Sequence, residues 1–217
     1  MPIDDTGFRA MTTRSVLTVA QARHIDIDAV EKLGMPSLLL MENASRAIAE
    51  TARELGEHFV VLCGPGNNGG DGLGAARHLG RRCLVHLLSE PDPSKSPDAA
   101  LQLRILRAAG GYEIVVGTFP KPPGNIAVVW IDALFGTGLE RPLAGAALDW
   151  VNAINAAPGR KLAVDIPSGL HGDTGAVLGA AVRADVTVTF AGIKLGMTVG
   201  VGPALCGRVV VETLGLP

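Results

Sequence analysis

The chain has 217 residues, 47% of them hydrophobic, 18% charged and 4% aromatic, with a formal net charge of −2. That length holds one domain with a substantial core, and the near-neutral charge excludes a basic surface built for nucleic acid or an anionic membrane. No stretch reaches the roughly 18 apolar residues of a membrane span, and MPIDDTGFRA lacks the apolar run of a secretory signal, so a soluble cytoplasmic protein is expected. Cys63, Cys83 and Cys206 are scattered with no CxxC pair, which argues against a disulfide framework or a zinc site.

Residues 1–16 are polar and unpatterned and read as a flexible arm, with one domain over 17–217. Thr18-Val-Ala-Gln21 fits a capping box that starts a helix carrying Ala20, Ile25, Ala29 and Leu33 and stopping at Gly34. Pro36 opens a second helix, closed by Gly56, with Leu39, Ala44, Ile48 and Ala52 on one face. Short apolar runs then alternate with helical stretches. Strands are expected at 58–63, 83–88, 112–116, 126–131, 161–165, 185–190 and 208–213, and helices at 70–79, 97–109 and 143–156. Continuous Val/Ile/Leu runs mark strands buried on both faces. The chain is therefore read as three-layer α/β, a mostly parallel sheet with helices on both faces and a helical N-terminal extension.

Three polar, glycine-rich segments follow strands directly: Gly64–Gly72, Asp132–Gly138 and Asp165–Gly169. In an open parallel sheet all three lie on one edge, where ligands bind at the switch in strand order. Gly64-x-Gly66-x-x-Gly69 satisfies the dinucleotide fingerprint, whose glycines and helix amides bring backbone close to a phosphate. Asp71 is awkward beside a phosphate, so it reads as a helix cap or a sugar contact. Asp132 reads as a turn-closing residue, an oxygen ligand or a sugar contact. Gly136, Thr137 and Gly138 offer amides and a hydroxyl to an anionic group.

Asp165, at a buried strand end, is a candidate acid/base whose pKa desolvation would raise, or else a structural acceptor in its turn. Ser168 lies outside any Gly-x-Ser-x-Gly elbow and suits a cation ligand better than a nucleophile. His24, His58, His78, His86 and His171 show no zinc spacing, and no P-loop motif is present. Lys194 follows another strand end, where it meets a phosphate or is simply solvated.

Taken in order, LTVAQARHID, LLLMENASRA, GPGNNGGDGLGAARHL, DALFGTGL, VDIPSG and TFAGIKLGM run through a region from about Leu17 to Leu216. The set resembles the NAD(P)H-hydrate epimerases, the YjeF N-terminal domain family; NNGGDG with DIPSG is the specific part. The resemblance implies a Rossmann-like fold, a homodimer and isomerase activity on NADHX and NADPHX. These are nicotinamide cofactors damaged by water addition, and the family interconverts their R and S forms so that a separate ADP- or ATP-dependent dehydratase restores the cofactor. It implies that Asn67, Asn68, Gly69, Gly70 and Asp71 contact the substrate's phosphate region, as do Gly136, Thr137, Gly138, Leu139, Glu140, Arg141 and Pro142. Asp165 would contact the damaged ring and act as acid/base, and Asn68, Asp132 and Ser168 would hold one potassium ion per subunit. No dehydratase domain follows Pro217, so either a partner chain is expected to supply that step or the sequence was cut.

Two other readings remain. The fingerprint with Glu90 or Asp92, about 20–26 residues on, permits an NAD-dependent oxidoreductase. The same cleft also permits a non-catalytic module for a nucleotide or ADP-ribose group.

Overall fold

The computed structural model describes residues 15–121 and 126–216. Its elements are β1 (Val16–Leu17), α1 (Val19–Glu31), α2 (Ser37–Leu55), β2 (Phe59–Cys63), α3 (Asn67–Leu79), β3 (Cys83–Leu87), α4 (Pro97–Ala109), β4 (Glu113–Val116), β5 (Val129–Ala133), α5 (Gly145–Ala156), β6 (Arg160–Val164), β7 (Val186–Phe190), β8 (Ile193–Lys194), α6 (Gly202–Leu205) and β9 (Arg208–Glu212). Seven strands form one parallel sheet in the order β4-β3-β2-β5-β6-β7-β9. The chain runs outward from β2 to β4, then returns to lay β5 on the other side of β2. The two halves of the sheet therefore part between β2 and β5.

Strands β2, β5 and β7 are buried at every position, as their continuous apolar runs require. Their side chains alternate between two cores. Phe59, Val61 and Cys63 face the core that includes Ile48 of α2, Leu73 of α3 and Leu103 of α4. Val60, Leu62 and Trp130 face Trp150, Val151 and Ile154 of α5. The result is three layers, and α1 packs outside on α2.

Thr18 caps α1 as its sequence implies: its side chain accepts from the Gln21 amide while Gln21 reaches back to the Thr18 amide. Several expectations shift. Leu39 is exposed, and Leu40 and Met41 turn inward in its place. The strand expected at 126–131 instead spans Val129–Ala133, so Asp132 pairs in register with Leu62 and Ala163. A strand end tolerates that acid because its carboxylate is fully hydrogen-bonded inside the protein, as described below. Residues 1–14 of the expected arm lie outside the described residues, while Val16 and Leu17 pair in parallel with Ile193 and Lys194.

Helix α3 begins at Asn67, three residues before its expected start, despite the poor helix propensity of Gly69, Gly70, Gly72 and Gly74. Their value is space. A Cβ on Gly72 would sit 2.5 Å from the Ala133 Cβ and 3.1 Å from the Cys63 Sγ; one on Gly74 would sit 2.0 Å from the Ser45 Oγ. The helix thus lies tightly on β2 and β5 and against α2. In an open helix, Gly→Ala gains about 1 kcal/mol. At Gly72 overpacking reverses the sign, and Gly72→Ala is expected to cost about 1–3 kcal/mol in urea unfolding. A raised midpoint would show that helix and sheet part freely.

Candidate functional site

A cleft of about 590 Å³ opens at the carboxyl edge where β2 and β5 diverge, lined from α1, α2, the β2–α3 turn, the β5 loop and the ends of β6 and β7. A second hollow, of about 740 Å³, lies at the amino edge around Gly56, His58, Val129 and Gly159. Only the first coincides with the switch in strand order, where open parallel sheets bind ligands.

The glycine fingerprint divides its labour. A Cβ on Gly64 would lie 1.8 Å from the Leu134 carbonyl oxygen, and one on Gly69 would lie 1.8 Å from that of Gly64. Those two glycines let the β2–α3 and β5 loops touch, whereas Gly66 faces open space. Gly66 is also the N-cap of α3, so the free amides of its first turn point into the cleft mouth. Asn68 places a buried Nδ2 there without a hydrogen-bond partner. Its Oδ1 and the Asp165 Oδ2 both crowd Gly136, at 3.0 and 2.8 Å from where a Cβ would stand.

Asp165 occupies the centre. It follows β6 with φ +68°, a left-handed conformation that is costly for a residue bearing a side chain. The other non-glycine residues with positive φ among the described residues are Ala191 (+60°) and Leu214 (+60°), and all three line this cleft. Backbone strain collects at functional sites, and this concentration marks one. Two partners that the sequence did not signal hold its carboxyl. Its Oδ1 lies 2.7 Å from the Lys194 Nζ, and its Oδ2 accepts from the Thr137 amide at 3.2 Å. Lys194 is likewise not solvated: its side chain is 3% exposed.

Asp71 is not a helix cap, since α3 starts four residues before it. Burial pushes its carboxyl well above the ordinary range, Asp165 and Asp26 add to that, and Lys194 opposes it. Asp26, projecting from α1 into the same cleft, is pushed up to about 6 by desolvation, with Lys194 pulling down and Asp165 pushing up.

Behind the cleft, Asp132 and Ser168 are fully buried and bonded to each other. The Ser168 amide donates to the Asp132 Oδ2 at 2.9 Å and its hydroxyl to Oδ1 at 2.6 Å, while the Phe135 amide donates to the Ser168 Oγ at 2.9 Å. Desolvation lifts the Asp132 carboxyl to about 6 against those hydrogen bonds and one from the Leu134 amide.

The cleft thus brings together Asn67, Asn68, Asp71, Gly136, Thr137, Gly138, Leu139 and Asp165. Gly69 and Gly70 are buried by packing instead, Gly70 against Ala99 and Met41. Arg141 and Pro142 are exposed outside the lining, as is Glu140, which approaches Arg23 of α1 at 3.9 Å. Neither Glu90 nor Asp92 lines the cleft; Glu90 is held by Arg107 and Asp92 by Ser94, which removes the acid an NAD-dependent oxidoreductase needs on the ribose. Asp26 was not signalled by sequence, because a polar residue on an exposed helix face is ordinary. Lys194 carried a signal, its place in Gly192-Ile-Lys-Leu-Gly196, without its partner.

Comparison with known proteins gives a concordant picture. Residues 37–196 match the family model described as YjeF-related protein N-terminus. The chain is 41% identical over 222 residues to a bifunctional NAD(P)H-hydrate repair enzyme Nnr of Salinibacter ruber, covering 93% of this chain and 41% of that protein. It is 40% identical to an NAD(P)H-hydrate epimerase of Limosilactobacillus fermentum, covering 92% of this chain and 96% of that one. The chain therefore spans about two-fifths of the bifunctional relatives it matches. The crystal structure of yeast ynu0 shares the fold with a TM-score of 0.72 at 23% identity, over 85% of this chain and 83% of that one.

The Lys194–Asp165 pair makes a stability test that needs no ligand. Asp165→Gly relieves about 1–2 kcal/mol of backbone strain. It also strands a buried ammonium, at about 3–5 kcal/mol. The net loss in urea unfolding is expected near 2–3 kcal/mol. Asp165→Asn keeps an acceptor and tolerates the conformation, so it loses less. The reverse order would contradict the pairing.

Proposed function

The chain belongs to the YjeF-related N-terminal family, and on that premise we propose that it is an NAD(P)H-hydrate epimerase, interconverting the R and S forms of NADHX and NADPHX in nicotinamide-nucleotide repair. The observation that carries this reading is Asp165: a carboxylate in strained backbone at the centre of a cleft whose mouth is a helix N-terminus. A dinucleotide hydrate needs both features, amides for phosphate at one end and a proton-handling group for the ring at the other.

The hydrated carbon carries a hydroxyl and a ring nitrogen, so it is a hemiaminal. Inversion proceeds by loss and return of the hydroxyl through an iminium, or by ring opening to an aldehyde and reclosure. The iminium route needs a group that gives a proton to the departing hydroxyl, which leaves as water, and takes one back from the returning water; ring opening needs one that takes the hydroxyl proton as the ring C–N bond breaks and returns it on reclosure, and we assign both roles to Asp165. Its Oδ2, beside Gly136 and Thr137, faces the cleft. Asn67, Asn68 and Asp71, with the 136–142 loop, are assigned to hold the nucleotide. The unpartnered Asn68 Nδ2 supplies a donor for a ligand acceptor.

A potassium ion fits the donor chemistry. Asn68 Oδ1, the Asp132 carboxylate and the Ser168 hydroxyl are hard oxygen donors, and among the described residues the partners of the buried Asp132 are neutral. Among the described residues no group of three His, Cys, Asp or Glu is arranged for a metal, so nothing favours zinc. The ion would order the Asp132 and Ser168 loops and offset the buried charge. Its removal should lower thermal stability, and potassium should raise the melting temperature more than lithium at equal ionic strength. An Asp132→Asn protein that kept the full potassium response would remove this site from consideration.

The remaining assignments are of the same kind. We place β1 and everything described after it in one domain. Restoring the cofactor calls for an ADP- or ATP-dependent dehydratase, on a partner chain or a further domain. Exposed Ile27 and Val30 of α1 and Leu39 of α2 support a homodimer through the helical extension. No helix among the described residues is long and apolar enough to cross a membrane, and Cys63, Cys83 and Cys206 are buried free thiols, which suits a cytoplasmic setting.

The test is equilibration of purified S-hydrate to the R form, followed by chromatography. Asp165→Asn is expected to bind hydrate but lose about 10²–10⁴-fold in kcat. Near-wild-type turnover would remove Asp165 from proton transfer. Asp71→Ala should raise KM more than it lowers kcat, and a pure kcat effect would contradict its assignment to binding.

A further inference from the structure

Lys194 is among the most deeply buried charged groups described, and its three ammonium hydrogens are all assigned. Nζ meets the Asp165 Oδ1 at 2.7 Å, the Thr189 Oγ1 at 2.9 Å and the Phe190 carbonyl at 2.7 Å. No hydrogen remains for a substrate phosphate. Its segment is held from outside as well. Ile193 donates to the Ser15 carbonyl at 2.8 Å, β8 pairs with β1, and a Cβ on Gly192 would strike Leu17. Ala191, at φ +60°, makes the turn that brings Lys194 back behind Asp165.

We propose that Lys194 is a positioning residue that anchors the Asp165 Oδ1 and so presents Oδ2 to the substrate. The proposal deepens the epimerase reading and rests on it. The anchoring fixes the carboxylate plane: Oδ1 is consumed by Nζ, so the oxygen left beside Gly136 is the one that reaches the cleft. It also sets charge. The other ionisable groups facing the pair are Asp26 from α1 and Asp71 from α3, both acidic. Lys194 is the cation in contact with Asp165, while Arg23, also on the cleft wall, approaches Glu140; without Lys194 three carboxyls share the space.

The experiment compares wild type with Lys194→Met, Lys194→Gln and Lys194→Arg in the hydrate equilibration assay. For Lys194→Met the expected result is a kcat loss of about 10-fold or more at neutral pH with KM changed little. Lys194→Arg, which keeps a cationic donor to Oδ1, should restore part of the lost kcat. In an Asp165→Asn background, Lys194→Met should add almost nothing, since it acts through the carboxylate. Should Lys194→Met fail to fold, as judged by its thermal melt, Lys194→Gln gives the same reading because it keeps hydrogen bonds without charge. An unchanged kcat in a folded variant, or losses that multiply with Asp165→Asn, overturns the proposal while wild-type epimerisation leaves the epimerase reading intact. Absence of wild-type epimerisation removes both.

Discussion

A carboxylate at the end of a buried strand, in left-handed backbone, persists only with a cation behind it. The Lys194–Asp165 pair meets that need, and much of the surrounding architecture serves the pair. The turn at Ala191 returns the chain toward β6, and the two-residue β1–β8 ladder fixes Lys194 from outside. Gly136 supplies the gap into which the Asp165 Oδ2 and the Asn68 Oδ1 fit. Breaking a buried pair of this kind by removing one partner is costly, whereas the intact pair contributes little net stability. Its presence is better explained by what the carboxylate does than by what it holds together.

The second constraint is proximity without side chains. Helix α3 lies so close to β2 and β5 that methyl groups at Gly72 and Gly74 would collide with the sheet and with α2. This contact brings the α3 N-terminus to the gap between the two halves of the sheet, with the free amides and Gly66 at the cleft mouth. Beneath it, the Asp132–Ser168 hydrogen bonds tie the end of β5 to the loop after β6. The cleft therefore has a helix N-terminus at its mouth, a carboxyl at its centre and oxygen-rich side chains on its floor, each carried by a different strand end.

Much of this was legible in the residues. Val/Ile/Leu runs marked the seven strands of the large sheet, and three glycine-rich segments after strands placed the cleft on one edge before any coordinates. The failures have local causes. Asp132 reads as a loop residue because a buried acid in a strand is improbable until Ser168, 36 positions away, supplies its donors. The start of α3 is hidden by glycines whose low helix propensity is overridden by packing. Leu39 and Leu40 are adjacent and equally apolar, so only the packing against α3 decides which turns inward. Strands of two residues have no periodicity, which leaves β1 and β8 invisible and Lys194 without its partner. Asp26 lies on a helix face where a carboxylate is expected in solvent.

The central claim is that this cleft inverts the hydrated carbon of a damaged nicotinamide cofactor. The most direct measurement supplies mixed R- and S-NADHX to a dehydratase specific for the S form, with ATP, and follows the R fraction when this protein is added. The account predicts that R-hydrate is drained through the S form well above its uncatalysed rate. Consumption of R-hydrate at the uncatalysed rate, with the hydrate nonetheless bound, would contradict it and make the cleft a nucleotide-binding module.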